Sequence, residues 1–252
     1  MAVWLRKRKL RHCSIGIFTI LWTLTERMIF MKLIALNGSP RRSGNTAVLL
    51  KEALAGAASG GAEISFVDLY SLEYKGCISC FACKRKGLAK GFCYVQDGLT
   101  PVLAEVRRAD AVIFGSPIYH MNLTSGLQAF LERFLFPTNI YSTEIPSVLG
   151  KKMPSAFFYT MNVTEKQAEK VHLQDSLQPY EDFTSKALGL VPHRLCAYNT
   201  LQFDDYTKYE SAKFSEADKR AYQEKYGPVC LKQAFALGAA LVKEAEALTQ
   251  TC

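Results

Sequence analysis

The chain has 252 residues, 49% of them hydrophobic and 21% charged. That allows one large domain with a real core and excludes a disordered or low-complexity chain. Its formal charge of +8 is uneven: residues 1–30 hold Arg6, Lys7, Arg8, Lys9, Arg11 and Arg27 against Glu26, so the rest carries 25 basic and 22 acidic residues, and so mild a balance implies no nucleic-acid partner.

Residues 1–30 set a basic run before an apolar stretch from Cys13 to Leu24, in the manner of a signal peptide. The stretch is too short to span a bilayer and no small-residue cleavage site follows it. Met31-Lys32-Leu33-Ile34-Ala35-Leu36 reads as a natural start leading into a strand. The expectation is an extension over 1–30 that stands apart from the fold, with translation beginning at Met31 or Met28, and one domain over 31–252.

Lys32 to Leu36 predicts a buried parallel strand that ends in a Gly-rich turn. Thr46 to Ala58 predicts a helix with Leu50 and Leu54 stacked and Asn45 as its N-cap. Glu63 to Leu69 is a second strand, followed by a cysteine loop at 77–93. Asp97 to Ala109 is a helix capped by Asp97, and Asp110 to Ser116 is the most hydrophobic strand. Thr124 to Phe134 is helical and Pro154 to Tyr159 is the fourth strand. Residues 164–190 hold helix near each end, and Arg194 to Leu201 is the fifth strand. Pro228 to Leu248 is a closing helix with Leu231, Phe235, Gly238 and Val242 on one face. Strands alternating with helices specify an α/β fold, a doubly wound five-stranded parallel sheet of order 2-1-3-4-5 with helices on both faces. Ligands in such sheets sit beyond the carboxyl ends of the strands where the order reverses, which singles out the loops that begin at Asn37, Pro117 and Thr160.

The turn 37–46 is rich in donors. Ser39, Ser43 and Thr46 bring hydroxyls, Asn45 an amide and Arg41 a guanidinium, while Gly38 and Gly44 permit tight backbone turns. The following helix N-terminus adds free N–H groups and a positive dipole end. Together these suit a terminal phosphate monoester. The turn has neither the Gly-Lys-Ser/Thr of a nucleoside triphosphatase nor the Gly-x-Gly-x-x-Gly of a dinucleotide site. The plain alternative is an ordinary polar loop.

Of eight cysteines, Cys77, Cys80, Cys83 and Cys93 crowd into one loop. Such clustering in a large α/β chain points to a metal or redox site in a reducing compartment, hence the cytoplasm, rather than to a secreted disulfide scaffold.

Asn37-Gly38-Ser39-Pro40-Arg41-x-x-Gly44-Asn45-Thr46, then Gly76-Cys77-x-x-Cys80-x-x-Cys83, then Gly115-Ser116-Pro117-Ile118-Tyr119 resembles the NADPH-dependent FMN reductase superfamily, whose fold is flavodoxin-like. Within it the match is closest to the iron–sulfur flavoproteins, and Leu201 to Glu210 also looks like that branch. The resemblance covers about Lys32 to Leu248. It implies that Ser39, Arg41, Asn45 and Thr46 hold the FMN phosphate, with Ser43 and Gly44 completing the turn. It also implies that Pro117, Ile118, Tyr119 and His120 border the flavin ring, with Met121 and Asn122 beside them and Thr160 to Asn162 at the same edge. A tyrosine and a histidine at a strand end can also simply pack there.

The Cys-x-x-Cys-x-x-Cys run with Cys93 nearby suits thiolate ligation of a [4Fe–4S] cluster. The gap before Cys93, Lys84 to Phe92, is longer than that branch usually shows. Two rivals stay open: FMN alone with redox or structural cysteines, and zinc. The loop follows the second strand, so its cysteines are expected at the sheet edge of the flavin. Phe203 to Tyr226 reads either as a solvated helix pair or as a lid or subunit contact.

The expected activity is FMN-dependent NAD(P)H oxidoreduction, with hydride passing from a nicotinamide cofactor to the flavin. A cluster would be a possible relay to a small-molecule or protein acceptor such as ferredoxin, quinone or free flavin. The alternative is an electron carrier reduced by ferredoxin. No acid/base pair stands out. The resemblance implies a homodimer or homotetramer, and no membrane partner is expected.

Overall fold

The computed structural model describes residues 31–144 and 147–250. The expected extension over 1–30 lies outside the described residues. Among the described residues, five strands form one parallel sheet: β1 (Lys32–Asn37), β2 (Glu63–Asp68), β3 (Ala111–Pro117), β4 (Ser155–Thr160) and β5 (His193–Ala197), in the order β2-β1-β3-β4-β5. The helices are α1 (Asn45–Ser59), α2 (Thr100–Arg108), α3 (Ser125–Thr138), α4 (Glu165–Lys170), α5 (Leu173–Leu188) and α6 (Glu216–Gln250). None is long and apolar enough to cross a membrane.

Successive residues of a strand point to opposite faces, and both faces are covered. Ile34, Leu36, Phe114 and Phe157 pack under α2, α3 and α5 against Val106, Phe130 and Leu177. Leu33, Ala35, Ile113 and Phe158 pack under α1 and α6 against Leu50, Ala53 and Leu241. The strands end level: Asn37 pairs with Asp68 and Gly115, and Pro117 with Thr160, which pairs with Ala197. The carboxyl edge is thus one platform from which the connections that follow each strand depart.

The α1–α6 contact depends on bare backbone. A Cβ on Gly238 would lie 1.8 Å from the Ala53 carbonyl oxygen, and one on Gly56 would lie 1.9 Å from that of Phe235. The closing helix starts at Glu216 and carries Pro228 inside it, twelve residues before the expected start. Over 216–227 only Lys219 is buried, so no apolar stripe marks that stretch. The expected helix pair after the fifth strand is a single 3-10 turn, Tyr206–Lys208, and the front of α6.

Two expected caps are also corrected. Gly44 occupies the N-cap of α1, while the Asn45 amide donates to the Leu201 carbonyl at 2.8 Å. Leu99 occupies the N-cap of α2, and Asp97 accepts from the Leu99 N–H and from Arg133 instead.

Candidate functional site

The turn after β1 is held by Asn37, which is fully buried. Its Oδ1 accepts from the Ser39 N–H at 3.1 Å and its Nδ2 donates to Asp68 at 2.6 Å. Gly38 is needed here for space rather than for a left-handed backbone: a Cβ would lie 2.8 Å from both the Gly115 carbonyl oxygen and the Leu127 Cβ. The Gly38 N–H donates to Gly115 O, and the Gly38 carbonyl accepts from the Thr124 hydroxyl at the head of α3. The turn is thereby fixed between β3 and two helix starts.

Its donors face a cleft lined by Ser39, Arg41, Gly44, Asn45 and Thr46, by Pro117, Ile118 and Tyr119, by Thr160, and by residues of two further loops. In α1 the first helical bond runs from the Val48 N–H to Gly44 O. The N–H groups of Asn45, Thr46 and Ala47 come before it and have no helical partner. The Ser39 hydroxyl accepts from the Arg41 N–H at 3.1 Å and keeps its own hydrogen to donate. The Thr46 and Thr160 hydroxyls meet at 2.8 Å, both buried. One hydrogen serves that bond and the other is left for a ligand.

Sequence reasoning missed part of the rim. Met161, Asn162, Thr200, Leu201 and Gln202 also line the cleft, and of these the sequence reading places only Met161 and Asn162 at this edge. The fifth strand stops at Ala197 because Asn199 takes a left-handed backbone, φ 48°. Residues 199–202 then turn over the cleft, tied back by Asn199 N–H to Val163 O and Thr200 N–H to Met161 O. Arg41 donates to the Gln202 carbonyl and so clasps this rim to the phosphate turn. The buried Asn162 Oδ1 has no hydrogen-bond partner, which leaves an acceptor waiting for an N–H or O–H.

Ser43 lies in an adjoining depression with Arg41, Gly44 and Asn45. His120, Met121 and Asn122 do not line the cleft. Tyr119 and Asn122 exchange backbone bonds of 2.9 Å, and His120 and Met121 between them have φ of 50° and 64°. Both central residues of this tight hairpin are left-handed, a conformation that ordinarily asks for Asn or Gly and costs about 1–2 kcal/mol per residue.

Behind the rim sits Lys219, 1% exposed. Its ammonium donates to Asn162 O at 2.8 Å, Asn199 Oδ1 at 2.9 Å and Thr200 O at 3.2 Å. Burial lowers its pKa.

The cysteine loop lies elsewhere than expected. It leaves the platform after β2, but its cysteines run down α3, away from the cleft. The Cys77 N–H donates to Glu132 at 2.9 Å. Lys84 donates to the carbonyls of Phe136 and Asn139 at the far end of that helix. Cys93 accepts from Arg133 Nε at 3.3 Å. Arg133 is nine residues beyond Thr124, about 13 Å along the axis. The loop is held there by Lys84 on the carbonyl end of α3 and by Arg133 of α3, which donates to the loop's own carbonyls and thiol, contacts that a strand-by-strand reading does not register.

Burial pushes the Cys83 thiol up. Lys84 opposes the shift, while Cys77, Cys80 and Cys93 add to it. Those three thiols lie within electrostatic reach of Cys83, but among the described residues no three His, Cys, Asp or Glu side chains converge to hold a metal ion. Arg133, whose side chain is fully buried, also donates to Asp97 at 2.5 Å and to the carbonyls of Lys75 and Val95. Burial, the largest single influence, would raise the Asp97 carboxyl, but the bonds from Arg133 and the Leu99 N–H and the charge of Arg133 together outweigh it and hold the group below its usual range.

Residues 31–152 match the family model described as NADPH-dependent FMN reductase. An iron-sulfur flavoprotein of Methanocaldococcus jannaschii is 37% identical over 103 residues, 41% of this chain and 51% of that protein. The chain spans about half the length of the curated relatives it matches. Among solved structures, an NAD(P)H:quinone oxidoreductase from Methanothermobacter marburgensis superposes with a TM-score of 0.59 at 15% identity, covering 84% of this chain and 97% of that one. An FMN-dependent NADH-azoreductase from Bacillus anthracis in complex with FMN gives 0.58 at 11% identity, covering 84% and 100%. At such identities the likeness shows the fold, which is flavodoxin-like α/β with the strand order read from the sequence.

Proposed function

We propose, from the match of residues 31–152 to the NADPH-dependent FMN reductase family model, that this protein is a flavoprotein oxidoreductase that draws a hydride from NADH or NADPH and delivers two electrons to an acceptor. The observation that carries the reading is the cleft at the switch point between β1 and β3, where the 39–46 turn meets the loops after β3, β4 and β5. Bound FMN supplies the redox chemistry, accepting the hydride and releasing two electrons.

The protein supplies the binding and the orientation. The N–H groups of Asn45 to Ala47, the Ser39 hydroxyl and the hydrogen left over from the Thr46–Thr160 pair would hold the phosphate. Arg41 adds positive charge at the rim. The Asn162 Oδ1, buried and unpartnered, would accept from an N–H or O–H of the cofactor, while Pro117 to Tyr119 would border the ring. A quinone or another small aromatic acceptor agrees with the names of the two solved structures above. The family resemblance of the sequence motifs implies a homodimer or homotetramer, which light scattering would check. Anaerobic mixing of FMN-loaded protein with NADPH and with NADH tests the donor. Bleaching of the visible flavin band is expected with at least one, and none with either rejects the nicotinamide step.

A second reading rests on the Cys77, Cys80 and Cys83 spacing with Cys93 nearby and on the relatives named iron-sulfur flavoprotein. Here Cys77, Cys80, Cys83 and Cys93 would hold a [4Fe–4S] cluster, and ferredoxin would be the reductant. The donor set has the right chemistry and the present spacing does not have the geometry, so no electron step is routed through it. Iron and acid-labile sulfide in anaerobically prepared protein are expected on this reading, and FMN without iron rejects it.

A further inference from the structure

Lys219 presents an arrangement that packing alone does not account for. Its ammonium is buried, it lies in the first turn of α6, and its three acceptors are two backbone carbonyls and an Asn amide oxygen. No carboxylate forms an ion pair with it among the described residues: in the same turn Glu216 is taken by Arg220. The dipole of a helix start disfavours a cation, and an unpaired buried charge is costly. Two of the three acceptors are the carbonyls of Asn162 and Thr200, which themselves line the cleft.

We propose that Lys219 is a positioning residue for the flavin: it holds the backbone of Asn162 and Thr200 in the cleft wall and places behind it a positive charge that faces the Phe214 ring at 5.3 Å but no carboxylate, which favours the FMN phosphate and, more strongly, the electron-rich reduced cofactor. This rests on the FMN reading above. It explains why the front of α6 extends so far beyond its apolar stripe. Those added turns carry the one buried side chain that reaches the cleft wall.

The charge can be removed without disturbing the packing. Asn199 Oδ1 already accepts from Lys219 at 2.9 Å, so Asn199→Asp keeps shape and hydrogen bond while neutralising the ammonium, and Asp tolerates the left-handed backbone there. Three quantities are measured on Asn199→Asp, Lys219→Met and Lys219→Arg: FMN affinity by fluorescence titration, flavin midpoint potential by spectroelectrochemistry, and thermal unfolding of the FMN-free chain.

Asn199→Asp is expected to unfold at or above the wild-type temperature yet bind FMN about tenfold more weakly. A tenfold change in relative affinity for reduced over oxidised cofactor lowers the potential by about 30 mV for two electrons. Lys219→Met should shift both in the same direction with a lower unfolding temperature, and Lys219→Arg should stay close to wild type. Wild-type affinity and potential in Asn199→Asp overturn the inference, even where Lys219→Met fails to fold. Wild-type protein that takes up no FMN overturns the FMN reading together with it, whereas normal uptake with an unmoved potential overturns this inference alone.

Discussion

The cleft and the cysteine loop are both built from loops that leave the same sheet edge, but by opposite means. In the cleft, level strand ends do the placing, and short backbone and side-chain bonds tie each loop to its neighbour: Gly38 to Gly115, Ile118 to Thr160, Met161 to Ala197. In the cysteine loop there is no regular structure beyond the 3-10 turn Ala82–Lys84, and a few cations anchor it to α3. One region is fixed by topology and should survive the loss of a side chain. The other is fixed by side chains and should not.

Arg133→Met gives the largest expected effect. It leaves Asp97, Cys93 and two carbonyls without their donor inside a buried site, so denaturant unfolding should show a loss of about 3–5 kcal/mol. FMN affinity should stay within about twofold of wild type once folded, and a collapse of FMN binding in folded protein would erase the contrast. Gly38→Ala is the converse. The added Cβ meets backbone that cannot yield, which costs about 1–3 kcal/mol. FMN binding should weaken while thiol accessibility in the loop stays unchanged.

Thr46→Val removes the partner of the Thr160 hydroxyl. The stranded group costs about 1–3 kcal/mol, and the loss should fall on FMN affinity as well as stability, both read by titration and thermal melts.

A smaller effect concerns acid. Asp97 titrates lower in the folded chain than its ordinary 3.8, so its contribution is present above that value and is lost as pH falls through the folded value. Asp97→Asn should flatten the fall in melting temperature as pH drops below the ordinary carboxyl value of 3.8, while lowering stability at pH 7. The smallest effect is Lys84→Ala, about 1 kcal/mol or less, seen as faster proteolysis within 77–93. An unchanged digestion pattern would show that the loop is held by something else.

How legible each region was in the sequence follows from the same contrast. The strand order and most of the cleft could be read ahead, because alternating apolar faces and a donor-rich turn after β1 are local signals. The rim at 200–202 was hidden inside an apparent strand, and only the polar Asn199-Thr200 step hinted at its end. Asn45 has the composition of a cap but is spent on Leu201, a partner far along the chain that no local preference records. The three-residue spacing of Cys77, Cys80 and Cys83 was plain, yet their course down α3 depends on Lys84 and Arg133 meeting distant carbonyls and a thiol. Contacts of that range leave no periodic trace.

The account is tested most directly by titrating FMN into folded, flavin-free protein and following the quenching of flavin fluorescence, with Arg41→Ala alongside. It predicts saturation at one FMN per chain, with weaker binding in the variant and weaker binding still of riboflavin, which lacks the phosphate. Folded protein that leaves flavin fluorescence unchanged, or that binds riboflavin as tightly as FMN, would contradict it.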